Sequence, residues 1–210
     1  MTLAGLAWRY LLARPLVAAL NLLMLALGFG AMVFVTLVAE QLEHQAQRDL
    51  AGIDLVVGAK GSPLQMILAG VFQVDLPTGN IPLARVVQLR EHPLVASVVP
   101  LSMGDAVQGF RIVGTEPAYL GLYGARLAQG RLWVKPLEAV LGAGVAERTR
   151  LGIGQSFAGA HGLGKDGDVH GSTPYTVVGT LAPCGCVLDR LVLTGTESVW
   201  AVHETHTALD

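Results

Sequence analysis

The sequence predicts an α+β protein: one N-terminal transmembrane helix with a stalk, then a two-lobed mixed α/β domain outside the cytoplasm. Three observations predict it. Of 210 residues, 52% are hydrophobic and only 14% are charged, against about 25% charged in an ordinary soluble domain. The apolar residues are concentrated, since no charged side chain occurs between Pro15 and Ala39. Beyond that run, short β-branched stretches alternate with segments of helical period and glycine- or proline-rich turns. A net charge of −2 argues against a nucleic-acid partner, which requires a concentrated basic face. Two cysteines cannot build a disulfide scaffold, so the domain must fold on its own core.

Residues 1–14 carry Leu3, Leu6, Tyr10 and Leu11 at helical spacing, with Trp8 and Tyr10 suited to the headgroup level. They predict a cytoplasmic interfacial segment in contact with membrane lipid. Residues 15–39 form the transmembrane helix, about 37 Å long at the helical rise and sufficient for a hydrocarbon core of about 30 Å. A cleaved leader would have an apolar region of only ~7–15 residues. Arg9 and Arg14 precede the span, and Glu40, Glu43 and Asp49 follow it, which keeps the N-terminus cytoplasmic and sends residues 40–210 outside.

Residues 40–50 continue as a stalk helix with Val38, Leu42, Ala46 and Leu50 as one stripe, stopped by Gly52. The core domain occupies 51–210. "IDLVVGA" reads as a buried strand, and Ser62 and Pro63 mark the N-cap and first position of a helix. "DLPTGNIP" is a loop, "PLARVVQLREHP" a helix, and "VASVVPLSM" and "GFRIVGT" are strands. An inserted lobe is expected over about 116–175. Within it "AYLGLYGARLAQGRLW" gives helix then turn, "LEAVLGAGVAERTRLGIGQSF" gives strand, helix and strand, and 157–174 is an exposed glycine-rich loop. "YTVVGTLAP" and "DRLVLTGTESVW" return to strand-rich patterning.

Several motifs bear on chemistry. "VGAKGSPLQM" (57–66) shares letters with a phosphate loop, but Lys60 precedes Gly61, whereas a nucleotide loop needs Gly-Lys-Ser/Thr in that order. Its glycines serve a strand-to-helix turn. "GQSFAG" lacks the glycine spacing of a nucleophile elbow, because Ala158 stands where glycine belongs. Asp166 and Asp168 lack the closing glutamate of a calcium loop. No nucleophile, base and orienting group assemble from local spacing, so the chain is not expected to be an enzyme. In "APCGCVLDR", Cys184 and Cys186 would offer thiolates to zinc or another soft metal, with His161 and His170 completing the set and His203 and His206 following in sequence. Two other readings stand beside it: both cysteines pack in the core, or they form a disulfide, which is awkward between residues i and i+2.

The chain resembles the N-terminal part of MacB/FtsX-type permeases of ATP-binding-cassette (ABC) transporters over nearly its whole length. The resemblance rests on the Arg-flanked first span and on "DLVVGAKGSPLQMILAGVFQVDLPTGNIPL" (54–83). "EAVLGAGVAERTRLGIGQSF" (138–157) and "TVVGTLAPCGCVLDRLVLTGTESVW" (176–200) extend it. It implies a permease of the four-span type, this chain being the subunit or its N-terminal fragment and holding the first span and the MacB-like periplasmic core domain. It further implies the bacterial cell inner membrane, a cytoplasmic ABC ATPase partner that carries the ATP, a homodimer and a periplasmic adaptor protein. The function implied is mechanotransmission: ATPase movement passes along 15–50 to 51–210 for substrate handling or export. The alternative is a single-span anchored binding or scaffold module, metal-handling through Cys184 and Cys186.

Overall fold

The structure, a computed structural model, describes residues 2–50, 52–161 and 173–207. The chain divides into two compact units, Met1–Ala46 and Gln47–Asp210. The first holds α1 (Leu3–Ala13) and most of α2 (Pro15–Leu50). Pro15 opens α2 where its missing N–H costs nothing. The helix is long and apolar enough to cross a membrane, and Leu16, Met24, Phe29 and Phe34 along it are exposed. Thr36 returns its hydroxyl to the carbonyls of Met32 and Val33 at 3.1 and 2.9 Å, which satisfies the polar group within the helix itself.

The second unit begins with the last turn of α2, closed by Gly52 at φ +76°. Two short helices follow, α3 (Pro63–Gly70) and α4 (Leu83–Arg90), then β1 (Ser102–Val107), β2 (Phe110–Thr115) and α5 (Ala118–Leu122). Next come β3 (Leu127–Gly130), β4 (Glu138–Leu141), α6 (Ala143–Thr149), β5 (Ser156–Phe157) and β6 (Ala160–His161). The described chain closes with β7 (Tyr175–Leu181), a 3-10 turn (Val187–Arg190), β8 (Leu191–Gly195) and α7 (Thr196–Thr207). The strands form one mixed sheet in the order β3-β7-β4-β8-β2-β1-β6, with β5 also on β7. β2 pairs with β8, and β4 with β7, in parallel; the other ladders are antiparallel.

The three central strands β4, β8 and β2 carry buried apolar runs, Ala139–Leu141, Leu191–Leu193 and Ile112–Val113, because both faces of the sheet are covered. Successive side chains alternate between two cores. Val113, Val140, Leu191 and Leu193 join Tyr119, Leu120, Val187 and Leu188 on one face. Ile112, Ala139, Leu141 and Val192 join Val145, Tyr175, Val177 and Val202 on the other. A hydroxyl relay fastens α7 to the sheet: Thr194 donates to the Glu138 carbonyl at 2.7 Å, stands 2.9 Å from Ser198 Oγ, and Ser198 accepts the Leu137 N–H at 3.0 Å.

The mixed α/β architecture matches the sequence reading, while local readings differ. The stretch read as helix then turn over 118–133 contains β3, and the loop read over 157–174 opens with Phe157 of β5 and with β6. "IDLVVGA" pairs with no strand among the described residues; Leu55 and Val57 are exposed there, and a β-branched run without a partner makes no ladder. "VASVVPLSM" contributes only its last residues to β1, since Pro100 has no N–H to give and its carbonyl instead accepts Thr115 Oγ1 at 2.9 Å. "TESVW" opens a helix, with Glu197 favourably placed in its first turn. Residues 116–175 supply β3, β4, β5 and β6 to the same sheet as β1, β2, β7 and β8, with β4 at its centre. The turn in "VGAKGSPLQM" leads from extended chain rather than a strand into α3, and a Cβ on Gly61 would collide with Thr78, whose hydroxyl donates to the Ala59 carbonyl at 2.9 Å.

Gly142 lies so close to the Leu188 carbonyl that any Cβ overlaps it, so Gly142→Ala should cost about 1–3 kcal/mol in denaturant unfolding followed by tryptophan fluorescence. Glu138 binds the Arg131 guanidinium at 2.6 and 2.7 Å and accepts the Val134 N–H at 2.8 Å. The Arg131 hydrogen bonds first, then the backbone N–H groups, hold its carboxyl down at about 2, from 4.5. A depressed carboxylate stabilises above its unfolded value and loses that stabilisation as pH falls through the folded one. The difference in Tm between wild type and Glu138→Gln should therefore be full near neutrality. It should shrink between pH 4.5 and about 2.

Candidate functional site

The residues with the most unusual environment gather where the chain leaves α2. Asp49, in the final helical turn and in the second unit, is 1% exposed. A carboxylate so far removed from water requires donors, and three groups supply hydrogen bonds around it. Val187 donates its backbone N–H to Oδ1 at 2.8 Å, and Arg190 Nη2 lies 3.4 Å from Oδ2. Tyr123 donates its hydroxyl to the Asp49 carbonyl at 3.1 Å, which also satisfies a helix-terminal acceptor. Burial, with the Asp49 charge adding to it, raises the Tyr123 hydroxyl above its ordinary value, so it remains a donor across the physiological range. Tyr119 meets Tyr123 edge to face at 5.4 Å and fixes the ring.

Each partner is positioned by a different part of the sequence. Tyr123 follows α5, which "PAYLGL" forms against the sheet by burying Tyr119 and Leu120. Val187 and Arg190 begin and end the 3-10 turn between β7 and β8. Arg190 also reaches the Phe72 carbonyl at 3.5 Å, which brings the segment after α3 to the same place. That segment turns at Gln73, whose φ of +57° is left-handed and whose Nε2 donates to the Gly70 carbonyl at 3.0 Å. It is tied to the sheet by buried Arg111, which donates to the Asp75 carbonyl at 2.6 Å. Burial lowers the Arg111 value and the Asp75 charge opposes that shift.

Cys184 and Cys186 are joined in a disulfide with Cα atoms 5.2 Å apart. The expected awkwardness of an i, i+2 bridge is corrected: Gly185 adopts φ +63°, a left-handed conformation that lets the chain double back within one residue. Asp189 braces this loop, accepting the Cys184 N–H at 3.0 Å and the Gly185 N–H at 2.7 Å. Bonded to each other, the two sulfurs offer no thiolate, so a metal held by Cys184 and Cys186 would first require the bridge to open. His161 ends β6, and His203 and His206 lie within α7; His170, Asp166 and Asp168 lie outside the described residues. Among the described residues no group of three or more His, Cys, Asp or Glu side chains stands within metal-binding reach. Lys60 is exposed, and Ser156 in β5 stands 3.4 Å from Thr176 Oγ1.

Asp49 was legible in the sequence only as an acidic flank that orients the span. The one local signal was its place at the end of a long helix, one turn beyond the stripe residue Ala46 and directly before Leu50 and Gly52. Asp49→Ala would orphan the Val187 N–H, which belongs to a fully buried residue. It should cost about 1–3 kcal/mol, with faster hydrogen exchange at Val187 and at residues 47–50 as the local signature. Asp49→Asn retains an acceptor and should lose less.

A family model described as the MacB-like periplasmic core domain matches residues 18–201. No curated protein matches the chain. Among solved structures it is similar to the periplasmic region of MacB from Actinobacillus actinomycetemcomitans, at 18% identity and a TM-score of 0.42, over 57% of each chain. It is also similar to the extracellular domain of YknZ, a noncanonic ABC-type transporter from Gram-positive bacteria. There the identity is 13% and the TM-score 0.42, over 58% of this chain and 65% of that one. The chain thus spans less than two thirds of either solved chain.

Proposed function

The chain belongs to the family of the MacB-like periplasmic core domain, and from that premise we propose that it is the membrane-anchored core-domain part of an ABC transporter permease. In this reading α2 crosses the inner membrane with Arg9 and Arg14 on the cytoplasmic side, and residues 40–210 lie in the periplasm. A separate cytoplasmic ABC ATPase hydrolyses ATP, and its movement reaches the core domain along α2. The chain works as a homodimer beside membrane lipid, with a periplasmic adaptor as a further partner.

The observation that carries the reading is the family match, because it runs over both the apolar helix and the domain. The form of α2 supports it. Its last turn, residues 47–50, belongs to the same compact unit as the domain and is tied into it by Asp49. A movement transmitted through a helix is lost wherever that helix ends in a loose connection.

Capture tests the reading. The chain, expressed with the cassette ATPase encoded beside it, should retain that ATPase through membrane solubilisation. Adding ATP should change hydrogen exchange at residues 47–50. Leu42→Pro breaks the helix at a cost of about 3 kcal/mol; it should keep the ATPase bound and abolish the ATP-dependent change. If no cassette ATPase is retained, or if the exchange pattern ignores ATP, the transporter reading fails.

A further inference from the structure

We propose that Cys184-Gly185-Cys186 is a thiol–disulfide exchange site, acted on by a protein dithiol of the extracytoplasmic compartment, and that opening it loosens the Asp49 joint. The compartment rests on the reading above; the exchange chemistry and its structural consequence rest on the geometry alone.

Three features meet at this loop. The bridge is reachable, since Gly185 is exposed and Cys184 is half-buried while Cys186 is buried. It stands between charges: Asp189 Oδ1 lies 3.4 Å from Cys184 Sγ. The Arg48 guanidinium lies over Gly185, so close that a Cβ there would come within 2.9 Å of Nη1. Finally, Cys186 directly precedes Val187, the residue whose N–H anchors Asp49. Arg48 and Asp49, adjacent in the last turn of α2, therefore meet the two ends of the Gly185–Val187 stretch.

These charges assign the sulfurs. A nearby carboxylate disfavours a thiolate at Cys184, so Cys184 is the sulfur attacked and Cys186 the one that leaves. The incoming thiolate forms a bond to Cys184 Sγ as the Cys184–Cys186 bond breaks. Cys186 departs with the electron pair and takes up a proton. The second thiol of the dithiol, deprotonated, then attacks its own partner sulfur in the mixed disulfide and releases Cys184, which is protonated in turn. The Cys184–Cys186 disulfide is reduced to two thiols and the dithiol is oxidised to a disulfide; the reverse reaction closes the bridge. Once open, Gly185 is no longer held in its left-handed turn by a covalent ring. The Val187 N–H then loses the fixed position from which it reaches Asp49.

The test uses the full chain in lipid nanodiscs, with no ATPase present, so its outcome is independent of ATPase capture. The chain is equilibrated with mixtures of reduced and oxidised dithiothreitol, free thiols are trapped with N-ethylmaleimide, and intact mass counts them. In parallel, hydrogen exchange is followed at residues 47–50 and at Val187. Both cysteines should alkylate together and reversibly as the ratio becomes reducing, and exchange at Val187 should rise at least about tenfold as the local opening energy falls. Cys184→Ser/Cys186→Ser should show the fast exchange without reductant; if that variant does not fold, the wild-type titration decides. Alkylation only on unfolding of the domain would overturn the exchange site. Alkylation in the folded domain with unchanged exchange at Val187 would overturn the link to Asp49.

Discussion

A carboxylate almost fully removed from water is the constraint around which the second unit is arranged. Asp49 can occupy its position only if donors meet it there, because an uncompensated buried charge is far more costly than the contacts it makes are favourable. The donors come from distant parts of the chain: Val187 and Arg190 from the turn before β8, with Tyr123 from the end of α5 binding the Asp49 carbonyl. Satisfying the Asp49 side chain thus places the 3-10 turn against the last turn of α2, and its main-chain carbonyl brings the end of α5 to the same point. The exposed salt bridge between Arg90 and Glu116, 2.9 Å long, has no such power, since water can replace either partner at little cost.

The sheet makes that meeting reproducible. β8 lies between β4 and β2 with all five residues buried, so the turn that leads into it has a fixed end. Leu188 packs into the core on one side of that turn, and its carbonyl presses against Gly142 on the other. The β8 end of the turn is thereby fixed, while its Val187 end adjoins Cys186 of the disulfide loop. The disulfide loop is the adjoining element and is braced by Asp189 rather than by the sheet. Gly185 lies two residues before Val187, whose N–H meets Asp49.

Much of this architecture is legible in the residues. The uncharged run after Pro15, the Ser62-Pro63 helix start, and the apolar cores of β2, β4, β7 and β8 all follow from local rules of length, capping and periodicity. The errors occur where pairing decides. "IDLVVGA" has strand composition but no neighbouring edge, and "TESVW" has a β-branched centre yet forms a helix whose Ser198 and Val202 face the sheet. Residues 116–175 read as an inserted lobe, but β4 inside that range pairs with β7 and β8.

The sequence by itself determined an apolar helix of spanning length, a mixed α/β domain after it, and the family, since these depend on composition, periodicity and contiguous motifs. Tertiary structure decided what the acidic end of that helix does and what the two cysteines become. Asp49 reads as a solvated flank until Val187 and Arg190, more than half the chain away, are folded against it. Cys184 and Cys186 read equally as ligands, core residues or a bridge until the left-handed turn at Gly185 brings their sulfurs together. Both outcomes depend on directions and distances between groups that no local pattern encodes.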